Sequence, residues 1–171
     1  MKGAQGGIEQ TRDLNQGLGL EFRQAAILVH NAATSYVLET VLPQPSLISV
    51  VDDDQSFRDS MRRLLKSLGY AVSVFSSAAE FLASPKLQST GCLVADIHMP
   101  ATTGADLYTH LLRAGHRIPT VLVTAHPDED TEKRMLMLGV VCYLRKPLEE
   151  AQLITCLRAA LGRGNLHRGP A

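Results

Sequence analysis

The sequence predicts a doubly wound α/β fold built around five parallel strands. From Leu47 onward, apolar runs of four or five residues alternate with helical patterns, and polar residues follow several of the runs. Runs that are apolar at every position are typical of strands buried on both faces of a sheet. Alternation with helices indicates right-handed crossovers between parallel strands. In such folds the functional site lies outside the carboxyl ends of the strands.

The strands and helices are assigned in order along the chain. The first strand opens after Pro43-Gln44-Pro45-Ser46, because these prolines end any preceding helix. The first helix has apolar residues at helical spacing and stops at Gly69, a residue type that favours helix C-caps. The predicted strands are Leu47–Val51, Ala71–Phe75, Cys92–Ala95, Thr120–Val123 and Val140–Tyr143. The predicted helices cover 57–68, 78–83, 105–113, 128–138 and 149–161.

Length and composition indicate one domain with additional segments at its ends. The chain has 171 residues, and domains cluster near ~100 to 150 residues. We expect an N-terminal extension over 1–46, partly disordered and with a helix at 20–42, then the domain at 47–162 and a tail at 163–171. That tail is too short to hold a further domain, so none is expected after it.

Charge and hydropathy argue against nucleic-acid and membrane binding. The formal net charge is zero, with 17 basic and 17 acidic side chains, whereas nucleic-acid-binding domains carry basic patches. The longest early apolar run, Ala25 to Val29, is far shorter than the ~20 residues of a membrane helix. A cytoplasmic protein is expected. Cys92, Cys142 and Cys156 show no metal-binding or disulfide spacing, and we interpret them as small core residues.

Reactive side chains follow the predicted strands and would meet at one edge of the sheet. Asp52-Asp53-Asp54 follows the first strand, Asp96 ends the third, Thr124 follows the fourth, and Lys146-Pro147 lies just past the fifth. Grouped carboxylates repel each other unless a cation lies among them, and hard oxygen ligands suit Mg²⁺. With a metal ion and Lys146 beside it, Asp96 can stay ionised and act as a nucleophile toward phosphorus. Taken alone, Asp96 could equally be a helix cap or a turn residue.

The order of these motifs resembles the receiver domain of two-component response regulators, which has the CheY-like fold. The resemblance rests on SVVDDD, CLVADIHMP, VLVTAH and YLRKP and covers Leu47 to about Gly162. The stretch VFSSAAEFLAS before CLVADIHMP further resembles the FixJ-like regulators. The resemblance implies the strand order 2-1-3-4-5, and it implies a signalling module that phosphorylates and dephosphorylates itself rather than an enzyme with an independent substrate.

By position, the resemblance implies that Asp96 accepts a phosphoryl group from a sensor histidine kinase. Mg²⁺ would be held by Asp52, Asp53, Asp96 and the backbone carbonyl of His98, with Asp52 acting from behind the direct ligands. Two features depart from the usual pattern. His98 occupies a variable family position that influences phosphate loss, although an exposed loop histidine without a role is the favoured interpretation. Ala101-Thr102-Thr103 replaces the more usual glycine-methionine-serine.

The resemblance also assigns the switch and the contacts of the kinase. Thr124 and Lys146 would contact the phosphoryl oxygens, and Tyr143 would be the aromatic switch. The Lys146–Pro147 bond would be cis. A kinase is expected to dock on the first helix, at Arg58, Met61 and Arg62, beside the loop after Pro147.

Several functions stay open on the sequence. The chain could act as a stand-alone receiver, as a separated receiver of a FixJ-like transcriptional regulator, or as a relay to a histidine phosphotransfer protein, and it could form a homodimer. From another class, a haloacid-dehalogenase-type phosphatase would use Asp52 as its nucleophile. Asp52, Asp54 and Ser56 nearly match the signature of that class, but Ser56 misses the last position and Asp96 would then have no role.

Overall fold

The computed structural model describes residues 46–166, with side chains described as far as residue 162. The predicted helix at 20–42, nearly all of the N-terminal extension and residues 167–171 lie outside this range. Among the described residues, no helix combines the length and the apolar character that crossing a bilayer requires.

Five parallel strands form one sheet, as predicted. The strands are β1 (Leu47–Val51), β2 (Ala71–Phe75), β3 (Thr90–Asp96), β4 (Thr120–Thr124) and β5 (Cys142–Arg145). Their order is β2-β1-β3-β4-β5, and every neighbouring pair is parallel. The doubly wound fold and the strand order are therefore confirmed.

The fifth strand starts two residues later than the sequence indicates. Val140 is apolar and buried, which favoured a strand start at this position. Its backbone N–H, however, donates to the carbonyl of Met135 at 3.1 Å and so closes the end of the preceding helix. Because the N–H of Val140 is used at the helix end, it cannot donate to a neighbouring strand. The strand β5 therefore begins at Cys142.

The helices lie on both faces of the sheet. They are α1 (Gln55–Ser67), α2 (Ala78–Ala83), α3 (Gly104–Arg113), α4 (Glu129–Met137) and α5 (Glu150–Leu166), with a 3-10 helix at Pro85–Ser89. Polar N-cap side chains accept hydrogen bonds from backbone N–H groups at the first turns of the first four helices. These caps satisfy donors that have no partner inside the helix. The caps are Asp54, Ser77, Thr103 and Asp128.

Two apolar clusters cover the two faces, and successive strand residues alternate between them. Val50 belongs to the cluster formed with α1 and α5, whereas Val51 belongs to the cluster formed with α2, α3 and α4. Cys92 and Leu93 divide in the same way along β3. Because neighbouring side chains of a strand point to opposite faces, the uninterrupted apolar runs fill both clusters.

Two of the predictions for single side chains are wrong. Cys142 and Cys156 are joined by a disulfide, although their spacing gave no sign of it, because the fold brings the start of β5 to α5, with 5.9 Å between the two Cα atoms. Cys92 is a free, buried core residue, as expected. Met61 is only 3% exposed, so its side chain packs against the sheet and is not available to a docking kinase. Arg62 remains exposed, 4.0 Å from Asp59.

Gly104 lets α3 approach the end of β3. A Cβ atom at this position would overlap the carbonyl oxygen of Asp96 and would lie 3.3 Å from Leu122 Cδ2. The Gly104 N–H also donates to the carbonyl of Ile97 at 3.2 Å. The loop after β3 therefore closes tightly over the backbone of Asp96 only because residue 104 has no side chain.

We expect Gly104→Ala to lower the free energy of unfolding by about 1–3 kcal/mol, because overpacking forces the backbone apart. The matched control is Gly162→Ala in α5, where an added Cβ would have no neighbour within 4 Å. That change should stabilise the helix by about 0.5–1 kcal/mol. Urea unfolding followed by circular dichroism measures both. Equal stability of the two variants would contradict the close approach.

Candidate functional site

Three carboxylates meet at the carboxyl end of the sheet. Asp52 follows β1 and Asp96 is the last residue of β3, and these two strands are neighbours. Carboxylate oxygens of Asp52, Asp53 and Asp96 lie within 4.8 Å of one another. Asp52 and Asp96 are buried, whereas Asp53 is exposed. The structure thus brings together the three acidic side chains that the sequence indicated.

Lys146 supplies the positive charge in this cluster. Its Nζ lies 2.7 Å from Asp52 Oδ2 and 3.5 Å from Asp96 Oδ1. Its backbone N–H donates to the carbonyl of Thr124 at 2.7 Å, which fixes the start of the loop after β5. The Lys146–Pro147 bond is cis, as expected. The ammonium group offsets the repulsion between the two buried carboxylates.

Asp52 is the inner carboxylate, and both of its oxygens have partners. Oδ2 accepts from Lys146, and Oδ1 accepts from the backbone N–H of Asp54 at 2.9 Å. Burial raises the pKa of Asp52, while the hydrogen bonds from Lys146 and from the Asp54 backbone oppose that rise. The nearby Asp96 raises the same pKa further. A carboxylate with a donor on each oxygen orients Lys146 and is held in place itself.

Asp96 offers the open acceptor of the site. Its Oδ1 is buried, lies 3.5 Å from the ammonium group of Lys146, and accepts no hydrogen bond from any described residue. A buried carboxylate oxygen without a donor is costly, so such an atom indicates a missing partner. An open anionic oxygen beside two further carboxylates fits a hard divalent cation, which prefers oxygen ligands. The acidic pocket is therefore suited to a metal ion.

Thr124 and Tyr143 lie next to this pocket on β4 and β5. The hydroxyl of Thr124 donates to the carbonyl of His126 and accepts from its N–H, both at 3.1 Å. These two bonds hold the turn that follows β4. Tyr143 has a buried hydroxyl with no hydrogen bond within 3.5 Å in the described part of the chain, and the backbone of Asp128 is its polar neighbour. Burial is the main cause of the raised pKa of this hydroxyl. Neither hydroxyl makes a hydrogen bond to Asp96 in the described part of the chain, and their assignment as a switch stays a prediction.

His98 lies in the exposed loop after β3. Its Nε2 is 3.3 Å from the carbonyl of His126, and the two rings pack edge to face with centroids 5.8 Å apart. This contact joins the loop after Asp96 to the loop after Thr124. Ala101, in the same loop, has φ +66°, a conformation that a Cβ atom disfavours and glycine tolerates. The replacement of the usual glycine therefore leaves a strained residue three positions before α3.

Two residues of α1, Phe57 and Arg58, contact the site, although the sequence analysis did not predict these contacts. The ring of Phe57 faces the ammonium group of Lys146, with 4.1 Å from Nζ to the ring centroid. Arg58 Nη1 donates to the backbone carbonyl of Asp52 at 2.7 Å. Phe57 was assigned only to the apolar stripe of the helix. Its place in the first turn after the three aspartates was the one available signal.

Residues 48–158 match the family described as the response regulator receiver domain. The chain belongs to this family. It is 35% identical over 122 residues to the transcriptional regulatory protein FixJ of Azorhizobium caulinodans, which covers 71% of this chain and 58% of FixJ. It is 36% identical over 123 residues to nodulation protein W of Bradyrhizobium diazoefficiens, which covers 72% of this chain and 54% of that protein. The chain thus spans between half and three fifths of the length of these relatives.

Solved structures of receivers have the same architecture. The response regulator StyR matches with a TM-score of 0.68 at 35% identity, over 72% of this receiver chain and 63% of StyR. The structure named FixJ-N matches with a TM-score of 0.63 at 30% identity, over 70% of this chain and 95% of that one. The expected FixJ-like receiver is confirmed by sequence and by fold.

The contact between Phe57 and Lys146 can be measured with a double-mutant cycle. We expect Phe57→Leu and Lys146→Met to be coupled by about 0.5–2 kcal/mol in the free energy of unfolding, because leucine keeps the bulk but lacks the negative ring face. Urea unfolding of the wild type, both single variants and the double variant gives this coupling.

The control cycle pairs Lys146→Met with Phe81→Leu. Phe81, on α2, packs edge to face on Phe75, with ring centroids 5.3 Å apart, in the apolar cluster on the other face of the sheet. Effects at such separate sites add within about 0.5 kcal/mol. If the Phe57 cycle were as additive as the control, the ring would not contribute to the placement of Lys146.

Proposed function

We propose that this receiver accepts a phosphoryl group on Asp96 from a sensor histidine kinase, with Mg²⁺ bound in the acidic pocket. The observation that carries the proposal is the buried Oδ1 of Asp96, which lies 3.5 Å from Lys146 Nζ and has no hydrogen-bond donor. A nucleophilic carboxylate needs an ionised oxygen and charge compensation nearby. Asp96 combines the two, whereas both oxygens of Asp52 are already occupied.

The reaction requires little beyond position and charge. An oxygen of Asp96 attacks the phosphorus, the bond from phosphorus to the kinase imidazole nitrogen breaks, and the electron pair stays on that nitrogen. The ammonium group of Lys146 can interact with the negative phosphoryl oxygens, because its Nζ already lies close to both Asp52 and Asp96. Phosphoryl transfer depends mainly on such electrostatic stabilisation. Mg²⁺, held by Asp53, Asp96 and the carbonyl of His98 with Asp52 behind them, would neutralise negative charge on the phosphoryl oxygens.

Phosphorylation would then change the face around β4, α4 and β5. The hydroxyl of Thr124 would leave the carbonyl of His126 and donate to a phosphoryl oxygen. Tyr143 would turn toward the space that this movement opens, because its hydroxyl now lies buried without a hydrogen bond. A ligand shifts such an equilibrium only by binding one state better. Here the aspartyl phosphate supplies that difference, and a protein partner reads the altered face.

The receiver could act alone or as the input domain of a FixJ-like transcriptional regulator. FixJ is a transcriptional regulatory protein by name, which favours a regulatory output. Transfer to a histidine phosphotransfer protein and a homodimer are compatible with the same site. We place the protein in the cytoplasm, where the catalytic domains of sensor kinases act.

A haloacid-dehalogenase-type phosphatase is not supported. The carboxylate of Asp54 caps α1 by accepting from the backbone N–H groups of Ser56 and Phe57 at 2.8 and 3.3 Å. Asp52 is saturated by Lys146 and the Asp54 backbone. The two aspartates of that signature therefore have structural roles: Asp52 pairs with Lys146, and Asp54 caps α1.

Asp96→Asn should abolish phosphoryl incorporation from acetyl phosphate with Mg²⁺, because the amide is neutral and cannot act as the nucleophile. Intact-protein mass spectrometry measures the incorporation. The matched control is Asp59→Asn on α1, which removes an exposed carboxylate 4.0 Å from Arg62 and should label like the wild type. Labelling that survived in Asp96→Asn but was lost in Asp52→Asn would favour the phosphatase.

Magnesium should stabilise the receiver. A ligand that binds only the folded state raises the free energy of unfolding by about 2.7 kcal/mol at 100 times its dissociation constant. Urea unfolding at increasing Mg²⁺ measures this gain. Asp53→Asn should reduce the gain, since it removes the exposed ligand of the pocket, while Asp59→Asn should retain it. A gain of equal size in Asp53→Asn, or none in the wild type, would rule out metal binding here.

A further inference from the structure

The Cys142–Cys156 disulfide encloses the site lysine within a short loop. Cys142 opens β5, Cys156 lies in α5, and the two residues are 14 positions apart in sequence. The segment between them contains Lys146 and the cis bond to Pro147. The covalent link therefore closes the part of the chain that carries the positive charge of the acidic pocket.

This loop is held at both ends, and the disulfide links the two ends directly. At its β5 end the N–H of Lys146 donates to the carbonyl of Thr124 at 2.7 Å. On α5, Leu153 and Leu157 pack into the core, and Cys156 lies between them in sequence. The disulfide adds a covalent restraint between the strand and this helix. Its opening would widen the range of positions available to the loop and to Lys146.

The disulfide lies beside a surface groove, through which a small thiol would approach Cys156, a residue that is 6% exposed. Cys156 lines a surface groove of about 350 Å³ together with Leu144, Ala151, Gln152 and Thr155. Cys142 is partly exposed. The third cysteine does not compete for exchange. Cys92 is buried in the core, and burial raises the pKa of its thiol to about 12, so it carries almost no reactive thiolate.

We propose that Cys142 and Cys156 form a reversible thiol–disulfide exchange site for a low-molecular-weight thiol of the glutathione class, and that its redox state sets the rate at which Asp96 accepts a phosphoryl group. The second part rests on the proposed function. In cytosolic proteins, disulfides are usually transient and catalytic or redox-sensing. The position of this one around Lys146 makes the phosphoryl site its target.

The exchange balances as two successive displacements. A thiolate attacks Sγ of Cys156, the S–S bond breaks, and Sγ of Cys142 keeps the electron pair and takes up a proton. A second thiolate attacks the small-molecule sulfur of the mixed disulfide, which releases the small disulfide and the Cys156 thiolate, and that thiolate is protonated. The protein gains two electrons and two protons. The small disulfide is the oxidant of the reverse reaction.

The oxidised form should accept phosphate faster, because the closed loop holds Lys146 in place before the reaction. We expect reduction to slow labelling roughly 3- to 10-fold, a fraction of the ~100-fold that a 1 Å misplacement near a reaction centre can cost.

The first measurement counts thiols in the full chain. The protein is equilibrated in buffers of defined reduced and oxidised glutathione, denatured, alkylated and weighed. Of the three cysteines, one should be alkylated in the oxidised form and all three in the reduced form, with Cys142 and Cys156 reacting together in peptide maps. Independent alkylation of Cys142 and Cys156 at every glutathione ratio would overturn the exchange site.

The second measurement compares acetyl phosphate labelling of the oxidised and the reduced wild type, so that no substitution is needed. Slower labelling after reduction supports the coupling, and equal rates overturn it. Absence of labelling in both forms would refute the proposed function, while the thiol titration would still stand. The double variant Cys142→Ala with Cys156→Ala should be labelled at the rate of the reduced form, and this rate should not depend on the glutathione ratio. Cys92→Ala, the matched control, should keep the redox response.

Discussion

The ion contacts of Lys146 with two buried carboxylates are the interaction on which the site depends. Asp52 is 1% exposed and Asp96 is 7% exposed, and their oxygens are close enough to repel each other strongly in a poorly solvated edge of the sheet. Buried charges are tolerated when they are paired and hydrogen-bonded. Lys146 reaches both carboxylates from the end of β5, with the ring of Phe57 against its ammonium group. Lys146 offsets the charge of Asp96, yet no donor forms a hydrogen bond with Oδ1 of Asp96 in the described part of the chain.

The fold makes this arrangement possible because parallel strands deliver their carboxyl ends to one edge. β1 and β3 are adjacent, so Asp52 and Asp96 become neighbours although 44 positions separate them in the sequence. The two apolar clusters fix the sheet from both sides, and Gly104 lets α3 begin directly over the backbone of Asp96. The position of Asp96 is therefore set by packing, whereas Asp53 and Lys146 lie just beyond the ends of their strands.

The groups around the acidic pocket connect it to the rest of the receiver along two routes. The first runs through Thr124 on β4 and Tyr143 on β5. The second runs from Lys146, which contacts Asp52 and Asp96, along the loop to α5 that the disulfide encloses. Under the two proposals, a phosphoryl group on Asp96 and the opening of the disulfide would act on the same few side chains.

The sequence alone determined the five strands, the five helices and the acidic residues at the strand ends, because hydrophobic periodicity and helix caps are local properties. The order of the motifs also predicted the strand order and the grouping of Asp52, Asp53, Asp96 and Lys146 at one edge of the sheet. Met61 was wrongly given a docking role, although the apolar spacing of the first helix already indicated its burial. Only the tertiary structure decided which side chains meet across elements. The Cys142–Cys156 bond and the ring of Phe57 over Lys146 were missed. The physical reason is that such contacts depend on how a helix rotates against the sheet, which spacing along one segment cannot specify.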